Sequence, residues 1–359
     1  MRIAYTHVHS WPDVRRGGER YLHELASAMA RRGHDVTIWT TSRSSPGTTV
    51  EEGVTVVRLR RRATDDARVE QRFGARLLPH LLRHRYDVVH SLLPSDAAAG
   101  LVARRLRRTT RCVYTNLGIP DRALWAARPD RRLHEFVVRH VDDYGCLSEA
   151  AADALRRTFG RDPVLTPGGV RLDRFPLSTS RAEDPTLFFS GTFDDPMKNV
   201  PLLLGAVAAL AERRPEVRLV MSGPGNASAH LQGAPDAART RTEVLPLTTP
   251  DLAAAYGRAW VTVLPSKWES FALALIESLA CGTPVVAARH GAAPERVADG
   301  TGYLCEPDSL ESLVDACDRA LDLVADPSTA PRCRNAAAPY DWDTLAPHYE
   351  QIYRGDLAR

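Results

Sequence analysis

From Trp260 to Ala287 the chain reads WVTVLPSKWESFALALIESLACGTPVVA, and this stretch constrains the fold more than any other. The apolar run before Pro265-Ser266 predicts a strand feeding a loop. An amphipathic helix then runs to Cys281-Gly282-Thr283-Pro284, where a Val-rich strand begins. Strand, loop, helix and strand form a βαβ unit, and its loop lies at the carboxyl end of a strand, where open α/β sheets bind ligands. The loop carries one acid, Glu269, and the helix a second, Glu277. Free amides at a helix start favour an anion, most often a phosphate. Eight helical residues climb about 12 Å, so the carboxylates can flank such a phosphate and each hold hydroxyls. A sugar, a diphosphate and a ribose fit that spacing.

The rest of the chain repeats the alternation. RIAYTH, DVTIWTT, VTVVRL, DVVHS, RCVYTNLG and YGCLSE predict strands in the first half, with helical segments between them. TLFFSGTF, VRLVMSGPG, TEVLPL, WVTVLPS and TPVVAA predict a second set. Such alternation implies parallel, doubly wound sheets. With 359 residues the chain exceeds one ordinary core. The expected divisions are 1–166, 167–340 and a C-terminal helix over 341–359. VLTPGGVRLDRFPLSTSRAEDP, rich in Pro, Gly and charge, reads as the linker between the two larger parts.

Charge is unevenly spread. Residues 1–176 hold 31 Arg and no Lys against 13 Asp and 7 Glu, although the whole chain carries only +3. A first half this basic suits an anionic or phosphorylated partner, or a peripheral contact with an anionic membrane. The Arg clusters (Arg58 to Arg62, Arg104 to Arg111) lack interleaved aromatics, which argues against nucleic acid. Only two lysines occur, Lys198 and Lys267. Where nearly every cation is Arg, a compact ammonium points to a specific need. Six cysteines without metal-ligand spacing read as reduced, buried thiols. The opening MRIAYTHVH is a strand start and not a signal-peptide layout, so a cytoplasmic protein is expected.

Further candidate residues follow from motifs. Gly17-Gly18 follow a strand and its loop and precede a helix, so their amides can approach a phosphate or sugar. His7 and His9 stand at that strand's end, and His90 and Asn116 end two later strands. Asp194-Asp195 read as loop solvation, and the Asp-x-Asp at Asp341-Trp342-Asp343 as helix capping. No metal site is expected, and the chain has no HExxH, no Walker loop and no GxGxxG after the first strand.

Taken together, the Glu269-x7-Glu277 stretch, RRGGERYLHELASAMARRGHDVTI, LFFSGTFDDPMKNVPLLLGAVAAL and PGGVRLDRF resemble glycosyltransferase family 4, the retaining GT-B transferases. The resemblance spans nearly the whole chain. It implies a GT-B fold, with two Rossmann-like domains facing across a cleft, the acceptor on the first and the donor on the second. It implies a retaining, metal-independent hexosyl transfer from a UDP- or GDP-hexose type of donor, without a resident cofactor. The acceptor would be a small molecule or an anionic, lipid-linked one. Glu277 would hold the ribose, Lys198 the diphosphate, and Glu269 the sugar hydroxyls. Ser270, Phe271, Ala272 and Leu273 would lie near the sugar-phosphate, and Gly191, Thr192, Leu245 and Lys267 would complete the donor site. Gly17, Gly18, His7 and His9 would form the acceptor and phosphate loop, with His90 or Asn116 as a catalytic polar group. Stabilisation of the departing diphosphate would do much of the catalysis, and closure would exclude water.

Several positions depart from the family pattern. Thr192 replaces an Arg, Asn199 a Gly, Gly168 an Asn, and Leu117 a His near the transferred sugar. Either another Arg covers the charge missing at Thr192 or the diphosphate is held less firmly, and Lys267 either covers part of that charge or contacts the nucleotide from the Glu269 loop. Ala272 replaces a Gly, and since a left-handed backbone would be costly for Ala, an ordinary helical start is expected there. Two alternatives to a transferase are a non-catalytic nucleotide-sugar-binding partner subunit and a GT-B relative such as a sugar-nucleotide epimerase.

Overall fold

A computed structural model describes residues 1–11, 13–14, 16–61, 69–107, 111–118, 128–178, 180–246 and 249–357. Those residues form two units, Met1–Gly169 with Trp342–Arg359, and Val170–Asp341. Among them no helix is long and apolar enough to cross a membrane.

The first unit is built on β1 (Arg2–Thr6), β2 (Asp35–Ser42), β3 (Gly47–Glu51), β4 (Val54–Arg60), β5 (Val88–Ser91), β6 (Arg111–Asn116), β7 (Asp143–Cys146) and β8 (Val164–Leu165). They lie in the order β3-β4-β2-β1-β5-β6-β7-β8. The central strands are buried along most of their length, as helices covering both faces of such a sheet require. One expectation needs correction: the sheet is not wholly parallel. β3 pairs antiparallel with β4 through a two-residue turn at Glu52 and Gly53. Both residues have positive φ, the geometry that matches the twist of a tight hairpin.

The segment expected as a linker is also more ordered than its composition suggests. Val164–Leu165 is the last strand of the first sheet, pairing with β7. Farther along, Phe175 is fully buried, and the Arg334 guanidinium donates to the carbonyls of Leu172, Phe175 and Ala280. One arginine thus satisfies backbone acceptors that water would otherwise have to reach.

The helix Trp342–Arg354 belongs to the first unit. Its Trp342 indole is buried and donates to Glu24 Oε2 at 2.7 Å, while Arg20 donates to the other oxygen of Glu24 at 2.8 Å. Tyr349 and Tyr353 meet Tyr21 and Tyr5 hydroxyl to hydroxyl, at 3.1 and 2.9 Å. Glu350 accepts from Arg32 at 2.6 Å and faces His34 at 3.0 Å. The Arg32 hydrogen bond outweighs partial burial and lowers the Glu350 carboxyl from the usual 4.5 to about 2. Because the folded value lies below the unfolded one, this contact stabilises fully above pH 4.5. The contribution is lost as pH falls toward 2. Glu350→Gln should therefore lower urea stability at pH 7, by about 1–2 kcal/mol, and the gap to wild type should close as acid protonates Glu350. A gap that persists unchanged in acid would contradict the assignment.

The second unit holds β9 (Thr186–Ser190), β10 (Arg218–Ser222), β11 (Thr242–Val244), β12 (Val261–Leu264), β13 (Val285–Ala288) and β14 (Gly302–Cys305). All pair in parallel in the order β11-β10-β9-β12-β13-β14. All six cysteines of the chain are buried free thiols, as expected.

Candidate functional site

The chain leaves β9 toward β10 and β11, then returns to place β12 on the other side of β9. At such a switch point the loops after the two central strands diverge and open a crevice at their carboxyl ends. The two loops meet across it: Lys198 Nζ lies 2.6 Å from Glu269 Oε1, with both side chains largely sheltered, and the Lys267 amide donates to the Met197 carbonyl at 2.8 Å.

The Lys198 side is fixed by the backbone. Lys198 ends a single 3-10 turn, Pro196–Lys198, capped by Asp195, whose Oδ1 accepts from the Met197 amide at 2.9 Å. Asn199 closes the turn in the left-handed region at φ 52°, where Asn is among the few tolerated non-glycine residues. Asp194 accepts from the Asn226 amide at 3.0 Å. Asp194 and Asp195 therefore hold backbone, correcting their reading as solvated loop acids. Gly191 donates to the Ser222 carbonyl, and Gly223, at φ 155°, crosses so close that a Cβ there would lie 1.8 Å from the Gly191 oxygen. Thr192 is half-buried beside them.

The Glu269 side is held from behind. The Glu269 carbonyl accepts from the Ala292 amide at 2.9 Å, and a Cβ on Gly291 would sit 2.3 Å from that same oxygen. The Phe271 carbonyl accepts from Arg296 at 3.2 Å, and the Arg296 guanidinium lies 4.7 Å from each of the Phe271 and Tyr340 ring centres. Ala272 then adopts φ 62°, ψ 50°, before the helix Leu273–Ala280. This overturns the expectation of an ordinary helical start: the loop geometry demands a left-handed residue and Ala supplies it under strain. No side chain caps the helix start, so its first amides face the crevice edge beside half-buried Ser270 and Leu273. Ala272→Gly should relieve the left-handed penalty and stabilise the protein by about 0.5–1 kcal/mol. Urea unfolding checks this, and a destabilised variant would contradict it.

Glu277 lies five residues into that helix, buried at 3% exposure, and accepts from the Tyr256 hydroxyl at 2.9 Å. Only part of the span between the two acids is helical, so they are not one above the other on a continuous helix. Lys267 does not join Lys198. Its ammonium pairs with Asp308 at 3.3 Å, and Asn199 donates to the same Asp308 oxygen at 3.0 Å. The charge missing at Thr192 is thus not replaced by Lys267 in this arrangement. Leu245 has its amide committed to the Met221 carbonyl at 2.9 Å, and Leu247 lies outside the described residues.

Sequence reasoning missed three residues here. Ser266 Oγ, Trp268 Nε1 and His290 Nδ1 are buried without a hydrogen-bond partner, and the Trp268 and His290 rings lie 4.4 Å apart. Unsatisfied buried polar atoms are costly and gather where a ligand completes them. The excess of such atoms on the Glu269 loop and the β13 loop was not visible from residue types alone.

In the first unit, Gly17 and Gly18 are the first two residues of the helix Gly17–Arg31, and do not precede it. A Cβ on Gly18 would lie 2.7 Å from Leu117 Cδ1, so Leu117 rests on the helix start. His7 faces Glu19 at 3.4 Å, and Arg16 donates to Glu19 at 2.5 Å. Burial raises the Glu19 carboxyl, but hydrogen bonds from His7 and Arg16 outweigh it and bring it to about 2. His9 is half-buried beside Arg61, 3.1 Å away. Two catalytic candidates are corrected. His90 is fully buried between Tyr353 and Thr115, both at 2.8 Å, and burial lowers its imidazole to about 3. Asn116 spends its amide on the Tyr144 hydroxyl and its oxygen on the Gly118 amide. Asp341 is the extended residue before the helix Trp342–Arg354, and Asp343 pairs with Arg31 at 3.0 Å.

Comparison with known proteins decides the family. Residues 184–323 match the glycosyl transferases group 1 model, and residues 15–174 match glycosyltransferase family 4. A D-inositol 3-phosphate glycosyltransferase of Actinosynnema mirum is 32% identical over 89% of this chain and 88% of its own length. The chain is a family 4 glycosyltransferase. A phosphatidyl-myo-inositol mannosyltransferase of Propionibacterium freudenreichii is 27% identical over 98% of this chain and 94% of its own. In fold, the transferase is similar to Anabaena HepE, solved in complex with UDP and glucose. That likeness has a TM-score of 0.79 and 16% identity over 99% of each chain. Two parallel-sheet units of this kind are the GT-B architecture expected of the family. An enzyme of hexosyl transfer therefore stands in place of the binding-subunit alternative.

Proposed function

We propose that the enzyme moves a hexosyl group from a nucleoside-diphosphate sugar, with retention, and that the second unit holds the donor. The ion pair of Lys198 and Glu269 at the β9/β12 switch point carries this reading. An incoming diphosphate competes for the Lys198 ammonium, which frees the Glu269 carboxylate for the sugar hydroxyls. The uncapped start of the helix Leu273–Ala280 adds its partial positive charge beside the phosphate. Glu277, oriented by Tyr256, accepts from the ribose. Ser266, Trp268 and His290 offer further polar atoms that a bound sugar nucleotide would satisfy.

Transfer breaks the bond from C1 of the sugar to the diphosphate oxygen. The acceptor oxygen bonds to C1 on the same face, and its proton leaves with the diphosphate. Charge grows on the departing oxygen as this happens, so Lys198 and the helix amides act more strongly in the transition state than before it.

Calorimetry with UDP, GDP, ADP and dTDP, each beside its nucleoside, tests the reading. One diphosphate should bind, and its nucleoside should bind at least about 100-fold more weakly, the diphosphate's two or more charge-assisted hydrogen bonds being lost. A nucleoside that binds as tightly as its diphosphate, or no binding by any of the four, would contradict it.

A further inference from the structure

Lys267 is the second of the chain's two lysines, and the second unit holds it against the Lys198 turn at both ends. Its amide donates to the Met197 carbonyl at 2.8 Å. Its ammonium lies 3.3 Å from Asp308 Oδ1, and that same oxygen accepts from the Asn199 side chain at 3.0 Å. Met197 and Asn199 flank Lys198 in the chain. Lys267 thus stands beside the crevice cation while its own charge faces a carboxylate.

Two backbone positions are given over to this contact. Asn199 at φ 52° and Asp308 at φ 56° both occupy the left-handed region, which is unfavourable for residues other than glycine and persists where the surroundings enforce it. Asp308 follows β14 by a short loop, at the same carboxyl edge of the parallel sheet as the loops after β9 and β12. The next helix, Leu310–Asp322, is capped by Ser309, which accepts from the Ser312 amide at 3.2 Å. The Asp308 carboxylate is therefore not needed as the cap, and it meets Asn199 and Lys267 instead.

The pair of Lys267 and Asp308 is easily broken. Their side chains are 46% and 59% exposed, and ion pairs this open to water contribute little. A lysine carries its point charge on a flexible four-carbon stem, so the ammonium can change partners while the backbone stays in place. A diphosphate carries more than one negative charge, and Lys198, shared with Glu269, offsets only part of it.

We propose that Asp308 holds Lys267 in reserve until a donor arrives, and that Lys267 then joins Lys198 on the donor's diphosphate. The assignment rests on the donor reading above and adds a second cation and its tether to that site. No covalent bond changes: the ammonium exchanges a carboxylate oxygen for a phosphate oxygen. The tether competes with the donor, so its loss has the opposite sign to the loss of the cation.

Calorimetry of the full chain with UDP, GDP, ADP and dTDP, each beside its nucleoside, reads the exchange. Lys267→Ala should weaken binding of the preferred diphosphate by about 5- to 20-fold and leave its nucleoside unchanged. Lys267→Arg should recover part of that loss. Asp308→Asn keeps a residue tolerated in the left-handed region and an oxygen for Asn199, and removes only the charge that holds Lys267. It should bind the same diphosphate about 2- to 5-fold more tightly than wild type, and adding Lys267→Ala should abolish the gain. Unchanged diphosphate affinity in Lys267→Ala, an equal loss for diphosphate and nucleoside, no gain in Asp308→Asn, or a gain that persists without Lys267 overturns the proposal. If one diphosphate binds the wild type in that case, the proposal fails alone; if none of the four binds, the donor reading fails with it.

Discussion

Lys198→Ala is expected to lower kcat/KM for sugar transfer by about 10²- to 10³-fold, the range seen when one donor to developing negative charge is removed. Nucleoside-diphosphate affinity should fall by about 10- to 100-fold, as befits a lost charge-assisted hydrogen bond. The ammonium sits between two loops of the switch point, 2.6 Å from Glu269 and with 22% of its side chain exposed. Its removal leaves Glu269 without that cation, close to where the diphosphate charge would accumulate, so the variant suffers both a lost attraction and an exposed repulsion. The fold should hold, because the turn Pro196–Lys198 is fixed by Asp195 and the backbone and does not depend on the ammonium. Lys198→Arg should restore binding only in part, since a planar fork does not place a compact charge at one point. Steady-state kinetics beside calorimetry checks this. A Lys198→Ala enzyme with unchanged kcat/KM would remove the ion pair from the mechanism.

The second large effect concerns stability. Trp342→Ala should cost about 3–5 kcal/mol, the range for deleting a large aromatic from a core. The Trp342 side chain is fully buried, lies 6.0 Å from the Tyr21 ring and 6.1 Å from the Tyr349 ring, and donates to Glu24. Trp342→Phe keeps most of the packing but leaves a Glu24 oxygen without its indole donor, and should cost about 1–3 kcal/mol. Urea unfolding followed by tryptophan-independent far-UV signal measures both. If Trp342→Ala costs under about 1 kcal/mol, the C-terminal helix is not an integral part of the first unit's core.

Much of the architecture was legible because the buried strands are short, continuously apolar runs set off by polar loops. TLFFS and VVAA need both faces covered, and the structure covers them almost entirely. The strand Gly47–Glu51 escaped notice for the opposite reason: it is an exposed edge, and its Thr-rich sequence carries little apolar signal. Gly302–Cys305 is a short, partly exposed edge strand as well. The two acids and Lys198 were legible as residue types on loops at strand ends. Their direct pairing was not, since Lys198 and Glu269 lie 71 positions apart.

Residue preference misled at Ala272. The preference of Ala for right-handed backbone is a fraction of the energy that fixes the loop through Ala292 and Arg296, so tertiary structure prevails there. His90 and Asn116 looked available because both end strands. Their partners Tyr353 and Tyr144 come from distant or separate segments, which no local pattern reveals.

The measurement that tests the central claim most directly is release of nucleoside diphosphate from UDP- and GDP-hexoses, followed with and without a panel of small-molecule and anionic acceptors. Release should require one donor and one acceptor together, should yield a glycoside whose anomeric configuration matches the donor's, and should nearly vanish in Lys198→Ala. Release at the wild-type rate without Lys198 would contradict the assignment of the second unit's switch point as the donor site, and release that ignores the acceptor would contradict transfer.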